Sequence, residues 1–222
     1  ADRLGIIDEK GTYITTLQAF ALLVLYLLEV KGERGAVVKA LTMTSMVQKL
    51  GQTFGVPVFE TPVGFKYICP IMLRENALIG GEESGGYAFR GNIPERDGLL
   101  SGLMLLDMMV RTGKRPSELV TWLYEKTGPH HFDRWDLTFD TAARQTTLDR
   151  FSQANPDTLA GKHVNRMETM DGYRFLLEDG YWALARFSDT EPVLRLYAEA
   201  ESIDAVHTLL AALRDMAGLK GS

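Results

Sequence analysis

The chain has 222 residues, 45% hydrophobic and 24% charged, which suits an ordinary globular protein with one large domain or two small ones. Its net charge of −5 argues against a nucleic-acid-binding surface. The single cysteine, Cys69, excludes an internal disulfide, and its apolar neighbours predict a buried, inert thiol. No signal peptide or membrane span is visible, since the most apolar run, 19–28, has about half the length needed to cross a bilayer. We therefore expect a cytoplasmic protein.

Predicted strands alternate with predicted helices over the first 126 residues. We predict strands at 4–8, 13–15, 36–41, 56–60 and 77–80, and helices at 17–31, 45–54, 67–75, 98–112 and 116–126. Thr15 or Thr16 is placed to cap the first helix. The helix over 98–112 carries an apolar face that we expect to lie in the core: Leu99, Leu103, Leu106 and Val110. This alternation predicts an α/β domain around a mixed βαβ sheet.

The pattern changes after the stretch 127–131, which we interpret as a linker. We predict strands at 135–139, 163–170, 173–177, 181–185 and 193–199, and helices at 141–154 and 203–217. Asp171-Gly172 and Asp179-Gly180 are strong hairpin signals. The sequence therefore predicts a smaller α+β domain with an antiparallel sheet over 132–222.

The turn between the last two predicted strands contains chemistry suited to an oxyanion. It runs Arg186-Phe-Ser-Asp-Thr-Glu-Pro-Val-Leu-Arg195, with hydroxyls at Ser188 and Thr190 and an arginine at each end. Backbone N–H groups and hydroxyls donate to an oxyanion, and a guanidinium binds two oxygens at once. The alternative is a hairpin loop whose hydroxyls only satisfy their own backbone.

A second polar turn, Gly81-Glu-Glu-Ser-Gly-Gly86, follows a predicted strand of the first domain. The turns 42–45 and 61–66 also follow strands, and open α/β sheets bind ligands beyond these carboxyl ends. Glu82, Glu83 and Ser84 suit adjacent sugar hydroxyls, and the glycines would allow close approach of a ligand. The alternative is a tight turn with solvated acids. The segment 90–97 is either an exposed loop or a source of arginines for an anion beside this turn.

Together these turns resemble the sugar-recognition motif and the phosphate-binding loop of the α-D-phosphohexomutases, the phosphoglucomutase/phosphomannomutase family. The stretch 61–66 matches that family as well. The resemblance covers the whole chain but only the C-terminal half of the family's four domains. It implies the end of domain 2 plus the sugar-binding domain 3 over 1–126, and the phosphate-binding domain 4 over 132–222. We therefore expect a C-terminal fragment.

The family moves phosphate between O1 and O6 of a hexose through a 1,6-bisphosphate. The resemblance implies that Glu82 and Ser84 hold the sugar's O3 and O4, an arrangement that glucose and mannose share. It implies a set of ligands for the phosphate not undergoing transfer: Arg186, Ser188, Thr190 and Arg195. Weaker candidates for contacts in the cleft are Arg3, Lys66 and Arg96.

The first residues, Ala1-Asp2-Arg3, resemble the tail of the family's metal loop. Asp2 would be the third Mg²⁺ ligand, without its two partner aspartates, so we expect no bound metal in this chain. The family's phosphoserine belongs to its first domain. We therefore expect hexose phosphate and glucose 1,6-bisphosphate as ligands, the N-terminal domains as partners, and no mutase turnover by this chain alone.

Two positions depart from the family pattern. Asp189 stands where glycine or asparagine is usual, and Gly86 stands where several relatives carry histidine. Two alternatives remain: a non-catalytic sugar-phosphate-binding module, and a phosphoglucosamine mutase. Glutamine in place of Glu83 and histidine in place of Gly86 would have favoured the latter.

Overall fold

The computed structural model describes residues 1–138, 141–188 and 191–219, and the chain forms two units, Ala1–Gly128 and Pro129–Ser222. The division falls inside the stretch 127–131 that the sequence predicts as a linker. Each unit has its own sheet and its own set of helices.

The first unit is an α/β domain with a four-stranded mixed sheet. Its strands are β1 (Ile6–Ile7), β2 (Tyr13–Ile14), β3 (Val37–Ala40), β4 (Val58–Thr61), β5 (Ile79–Gly81) and β6 (Tyr87–Phe89). Its helices are α1 (Thr16–Leu25), α2 (Met46–Phe54), α3 (Phe65–Glu75), α4 (Gly98–Thr112) and α5 (Pro116–Thr127). The sheet order is β4-β3-β5-β6, with β4 and β5 parallel to β3 and β6 antiparallel to β5. β1 and β2 pair as a separate antiparallel hairpin.

α1 forms the centre of this unit because it is apolar on every side. Thr15 caps it in a reciprocal capping box with Gln18, as the sequence predicts. Its residues Ala19–Leu25 are all buried. The helix continues as a π-helical turn over Tyr26–Val30, so the predicted helix 17–31 is confirmed in extent but not in its final geometry.

The prediction for the apolar face of α4 is wrong. Four residues expected in the core are exposed by 53% to 73%: Leu99, Leu103, Leu106 and Val110. The buried face is instead formed by Ser101, Leu105 and Met108. Because α4 is apolar around most of its circumference, helical periodicity alone does not decide which face is buried. Ser101 can be buried because its hydroxyl donates to the Asp97 carbonyl at 2.6 Å.

The second unit is an α+β domain with a six-stranded antiparallel sheet. Its strands are β7 (His131–Thr138), β8 (Thr158–Leu159), β9 (Lys162–Glu168), β10 (Tyr173–Leu177), β11 (Trp182–Phe187) and β12 (Val193–Ala200). Its main helices are α6 (Arg144–Gln153) and α7 (Ile203–Ala217). The strand order is β7-β12-β11-β10-β9-β8. The predicted end of the first strand, Phe139, lies outside the described residues.

One face of this sheet forms a hydrophobic core with α6 and α7. The alternating side chains of β11 and β12 that point into it include Ala183, Ala185, Leu194 and Leu196. Residues between them in sequence, such as Arg186 and Arg195, therefore belong to the opposite face. Within the described residues, no helix is both long and apolar enough to cross a membrane.

Candidate functional site

The parallel strands β3, β4 and β5 bring three polar turns to one edge of the first sheet. The Thr42 hydroxyl, just after β3, donates to the Glu83 carboxylate in the turn after β5. Lys66, after β4, and Glu82, after β5, line the same cleft of about 770 Å³. The structure thus gathers all three turns at the edge where open α/β sheets bind ligands.

The turn 82–86 is held by contacts on several sides. Its own backbone closes it, with the Glu82 N–H donating to the Gly86 carbonyl at 3.1 Å. The Thr16 hydroxyl, at the start of α1, donates to the Glu83 carbonyl at 2.6 Å. The Leu4 N–H donates to the Gly85 carbonyl at 3.0 Å. The turn is therefore preorganised rather than a solvated loop.

Two glycines in and beside this turn are required by packing. A Cβ on Gly81 would lie 2.5 Å from the ring of Phe20, so only glycine fits between β5 and α1. Gly85 has φ +88°, a conformation that side chains disfavour, and its Cβ would lie 2.8 Å from the Leu4 carbonyl oxygen. At these two positions the contacts within the protein already require glycine, and the predicted close approach of a ligand stays a prediction.

Glu82 is the acid of this turn that lines the cleft. It is buried, and its Oε1 accepts from the Ser84 hydroxyl at 2.8 Å and from Arg96 Nη1 at 3.1 Å. Among the described residues, no hydrogen bond reaches its Oε2. A carboxylate held at one oxygen presents the other as an acceptor for a ligand hydroxyl.

Arg96 forms ion pairs with the acidic residues around the cleft. Besides Glu82, it contacts Glu95 at 3.1 Å and Asp2 at 3.5 Å, and its guanidinium lies 5.6 Å from the ring centre of Phe65. Burial opposes its charge, but the hydrogen bonds to Glu95 and Glu82 outweigh this effect and raise the pKa of Arg96. Arg96 is therefore a fixed cation within reach of a ligand in the cleft.

The other sequence candidates of this unit fall in different places. Lys66 lines the cleft, with its ammonium 4.9 Å from the ring centre of Tyr67. Arg3 is exposed and contributes its backbone against Gly98 rather than a side-chain contact among the described residues. Arg90 pairs with Glu33 at 3.0 Å and does not line this cleft.

Cys69 is half-buried and also lines the cleft, so the prediction of a buried thiol is wrong. α3 turns Ile68 and Met72 toward the core, and Cys69, one position further round, faces the side where the cleft opens. Its sulfur lies 2.8 Å from the carbonyl oxygen of Pro94. The full lining of the cleft is Gly64, Phe65, Lys66, Cys69, Pro70, Leu73, Glu82, Glu95 and Arg96.

In the second unit, β11 and β12 place the two arginines of the polar loop side by side. Arg186 and Arg195 are direct partners in the antiparallel register, and the Ser188 N–H donates to the Val193 carbonyl at 2.9 Å. Ser188 is buried. Two further residues, Asp189 and the candidate ligand Thr190, lie outside the described residues.

Acidic side chains surround this arginine pair. Arg186 Nε donates to Asp171 at 2.8 Å, and Arg195 Nη2 donates to Glu191 at 3.1 Å. The buried Nε of Arg195 makes no hydrogen bond among the described residues, and its ion pair with Asp136 is 3.7 Å long. The two facing arginines repel each other, and the acids around them compensate this repulsion. An oxyanion bound beside the arginine pair would stabilise it further.

Within the described ranges, the side chains do not make a complete Mg²⁺ site. The described residues contain no group of three or more metal-binding side chains, and the Asp2 carboxylate is paired with Arg96. Mg²⁺ needs several hard oxygen ligands. The donors available from Asp2 alone do not fit the ion.

Comparison with known proteins identifies both units. Residues 17–127 match the family model for phosphoglucomutase/phosphomannomutase, alpha/beta/alpha domain III, and residues 143–216 match the C-terminal domain of the same family.

Individual relatives agree with these matches. A phosphoglucomutase/phosphomannomutase of Thermococcus kodakarensis is 31% identical over 202 residues, covering 91% of this chain and 42% of its own length. A phosphoglucosamine mutase of Solidesulfovibrio magneticus is 36% identical, covering 97% of this chain and 44% of its own length. The crystal structure of a protein from Thermus thermophilus, assigned as a phosphomannomutase, matches with a TM-score of 0.82 at 36% identity, covering 98% of this chain and 44% of that one. The chain thus spans less than half the length of these relatives.

Proposed function

The chain belongs to the phosphoglucomutase/phosphomannomutase family, and from this premise we propose that it supplies the sugar- and phosphate-recognition domains of a phosphohexomutase. Residues 1–126 would form the end of domain 2 and the sugar-binding domain 3. Residues 132–222 would form the phosphate-binding domain 4. The reaction would interconvert a hexose 1-phosphate and a hexose 6-phosphate through a 1,6-bisphosphate, an intramolecular phosphotransfer of the isomerase class.

The observation that supports the sugar-binding role most strongly is the placement of Glu82. It lines the cleft, and one of its carboxylate oxygens accepts hydrogen bonds from Ser84 and Arg96. We assign Glu82 and Ser84 to adjacent sugar hydroxyls, because an ionised carboxylate accepts from two hydroxyls and the serine both donates and accepts. Lys66, Arg96 and Arg3 are proposed as further contacts in the cleft.

The phosphate role rests on the arginine pair of the second unit. We assign four residues to the phosphate that does not undergo transfer: Arg186, Ser188, Thr190 and Arg195. Binding a remote phosphate and the sugar hydroxyls would orient the reacting end of the substrate, and this binding energy lowers the barrier only if it is used in the transition state.

Catalysis itself would need groups beyond these 222 residues. We propose that the N-terminal domains of the same protein carry the phosphoserine and the remaining Mg²⁺ ligands, since the part of this chain that the structure describes has no group of three or more metal-binding side chains. The protein would act in the cytoplasm on a soluble hexose phosphate. We expect no conversion of glucose 1-phosphate to glucose 6-phosphate by this chain alone in a coupled assay with Mg²⁺ and glucose 1,6-bisphosphate; turnover would refute this part of the proposal.

Calorimetric titration with glucose 1,6-bisphosphate tests the recognition role directly. We expect binding by the unsubstituted chain, a loss of at least about tenfold in Arg186→Ala, and a smaller loss in Glu82→Gln, since each removes charge-assisted hydrogen bonds. Arg214→Ala is the matched control, because Arg214 belongs to α7 and pairs with its neighbour Asp215. Equal affinities for all four proteins would refute the assignment.

A second candidate is a phosphoglucosamine mutase, and the 36% identity to the Solidesulfovibrio magneticus protein of that name favours it. Titration with glucosamine 6-phosphate beside glucose 6-phosphate and mannose 6-phosphate would separate the two candidates. A third candidate, a sugar-phosphate-binding module without catalysis, predicts binding with no turnover even when the N-terminal domains are supplied.

A further inference from the structure

The hairpin turn between β9 and β10 is built directly against Arg186. Asp171 Oδ1 accepts a hydrogen bond from Arg186 Nε at 2.8 Å, and the two side chains are 21% and 7% exposed. The next residue, Gly172, has φ +102°. A Cβ at that position would lie 2.5 Å from the Ala185 carbonyl oxygen and 3.1 Å from Arg186 Cα. The Asp-Gly turn therefore contacts the strand at the arginine through both a side chain and the backbone.

We propose that Asp171 is a positioning residue, which orients the guanidinium of Arg186 for an incoming phosphate. The proposal rests on the phosphate role assigned to Arg186 above. A guanidinium donates from Nε and from two terminal nitrogens in one plane, so a carboxylate that accepts from Nε fixes the plane in which the terminal N–H groups point. A side chain that is already oriented loses less conformational freedom when the ligand binds.

Removing the Asp171 carboxylate changes phosphate affinity in opposite directions for a positioning role and for a purely electrostatic role. Asp171 is negative and lies beside a proposed phosphate site, so its charge alone weakens the binding of an anion. If charge were its whole effect, removing the carboxylate would tighten phosphate binding. If orientation dominates, removing it weakens phosphate binding.

Titration of the 222-residue chain with inorganic phosphate and with glucose 1,6-bisphosphate tests the proposal. We expect Asp171→Ala to weaken both affinities about tenfold, the scale of one charge-assisted hydrogen bond. Asp171→Asn keeps an acceptor at the same distance without the charge, so it should restore most of the affinity. Tighter or unchanged binding in Asp171→Ala, with binding lost in Arg186→Ala, would overturn the positioning role and leave the phosphate site standing.

The second Asp-Gly turn of the same sheet provides a matched control. Asp179 is exposed with φ +59°, and a Cβ on Gly180 would contact nothing. Asp179→Ala should therefore lower thermal stability through backbone strain and leave the affinities unchanged. A merely structural role for Asp171 would make the two alanine variants behave alike, which would overturn the proposal. No binding by the unsubstituted chain would refute the phosphate site itself and the positioning role with it.

Discussion

At the scale of one residue, Asp97 connects the start of α4 to the strand beside it. Its carboxylate accepts from the Leu100 N–H at 2.8 Å, which makes it the N-cap of α4, and from the Asn92 side chain at 3.1 Å. Its own N–H donates to the Tyr87 carbonyl of β6 at 2.8 Å. The hydrogen bond from Leu100 is the main reason why the pKa of Asp97 lies below its usual value.

This lowered pKa predicts a loss of local stability in acid. A depressed folded-state pKa stabilises the fold above the unfolded-state pKa, about 3.9 for aspartate, and the contribution is lost as the pH falls through the folded value. We expect amide protection in the first turn of α4 to decrease below about pH 4, measured by hydrogen exchange and corrected for intrinsic rates. Asp97→Asn keeps a capping acceptor that does not titrate, so its protection should vary less with pH. A parallel decrease in both proteins would contradict the assignment.

Single residues were predictable from the sequence where a local motif defines them. Glu82 and Ser84 belong to one short turn, and the structure shows that Glu82 lines a cleft, while the sugar-binding role of both residues stays a prediction. The contact from Thr42 to Glu83 was not predictable, because it joins side chains 41 positions apart. For Asp171 the sequence predicts only a hairpin turn. Its contact with Arg186 was not predictable, because it depends on the register of the strands.

At the scale of an element, α4 shows where helical periodicity fails. Its apolar residues cover most of its surface, so a 3.6-residue period matches two faces. The packed face contains Ser101, whose buried hydroxyl bonds back to the preceding turn. The remaining apolar face is exposed in the described structure. The position of α4 against its neighbours, not its own pattern, decides which face is buried.

Two substitutions on this helix test that correction. Leu103 is 63% exposed and Leu105 is 5% exposed. We expect Leu103→Gln to change the free energy of unfolding by less than about 0.5 kcal/mol. Leu105→Ala should lower it by about 2–4 kcal/mol, because it removes buried contacts and leaves a cavity. Native-state hydrogen exchange at β3 and α4 amides measures the change in the free energy of unfolding for both variants. A large loss in Leu103→Gln would show that this face is covered in solution.

Short elements were harder to predict than long ones. β6 has three residues, Tyr87–Phe89, where the sequence predicts neither a strand nor a helix. Three buried residues give no period to detect, and the strand exists because it pairs antiparallel with β5. The π-helical end of the first helix was not predictable either, since the local sequence fits an α-helix equally well.

At the scale of the whole molecule, the change of pattern near residue 127 predicted the two classes of fold. The α/β and α+β architectures are confirmed, because strand-helix alternation and hairpin signals are repeated many times along the chain. Repeated signals are robust to errors in any one element. Each unit buries its own hydrophobic residues, with Leu50 of α2 in the first and Leu210 of α7 in the second.

Separate cores predict that the two units respond separately to core damage. Leu50 and Leu210 are both fully buried, so replacing either with alanine should cost about 2–5 kcal/mol in its own unit. We expect Leu210→Ala to accelerate exchange of β10 and β11 amides by about a hundredfold, since each 1.4 kcal/mol is about a factor of ten. Amides of β3 and β5 should change by less than about twofold, and Leu50→Ala should produce the reverse pattern. If either substitution accelerated exchange in both units equally, the chain would unfold as one cooperative body, and the turns proposed to bind substrate in the two units would be thermodynamically coupled even without ligand.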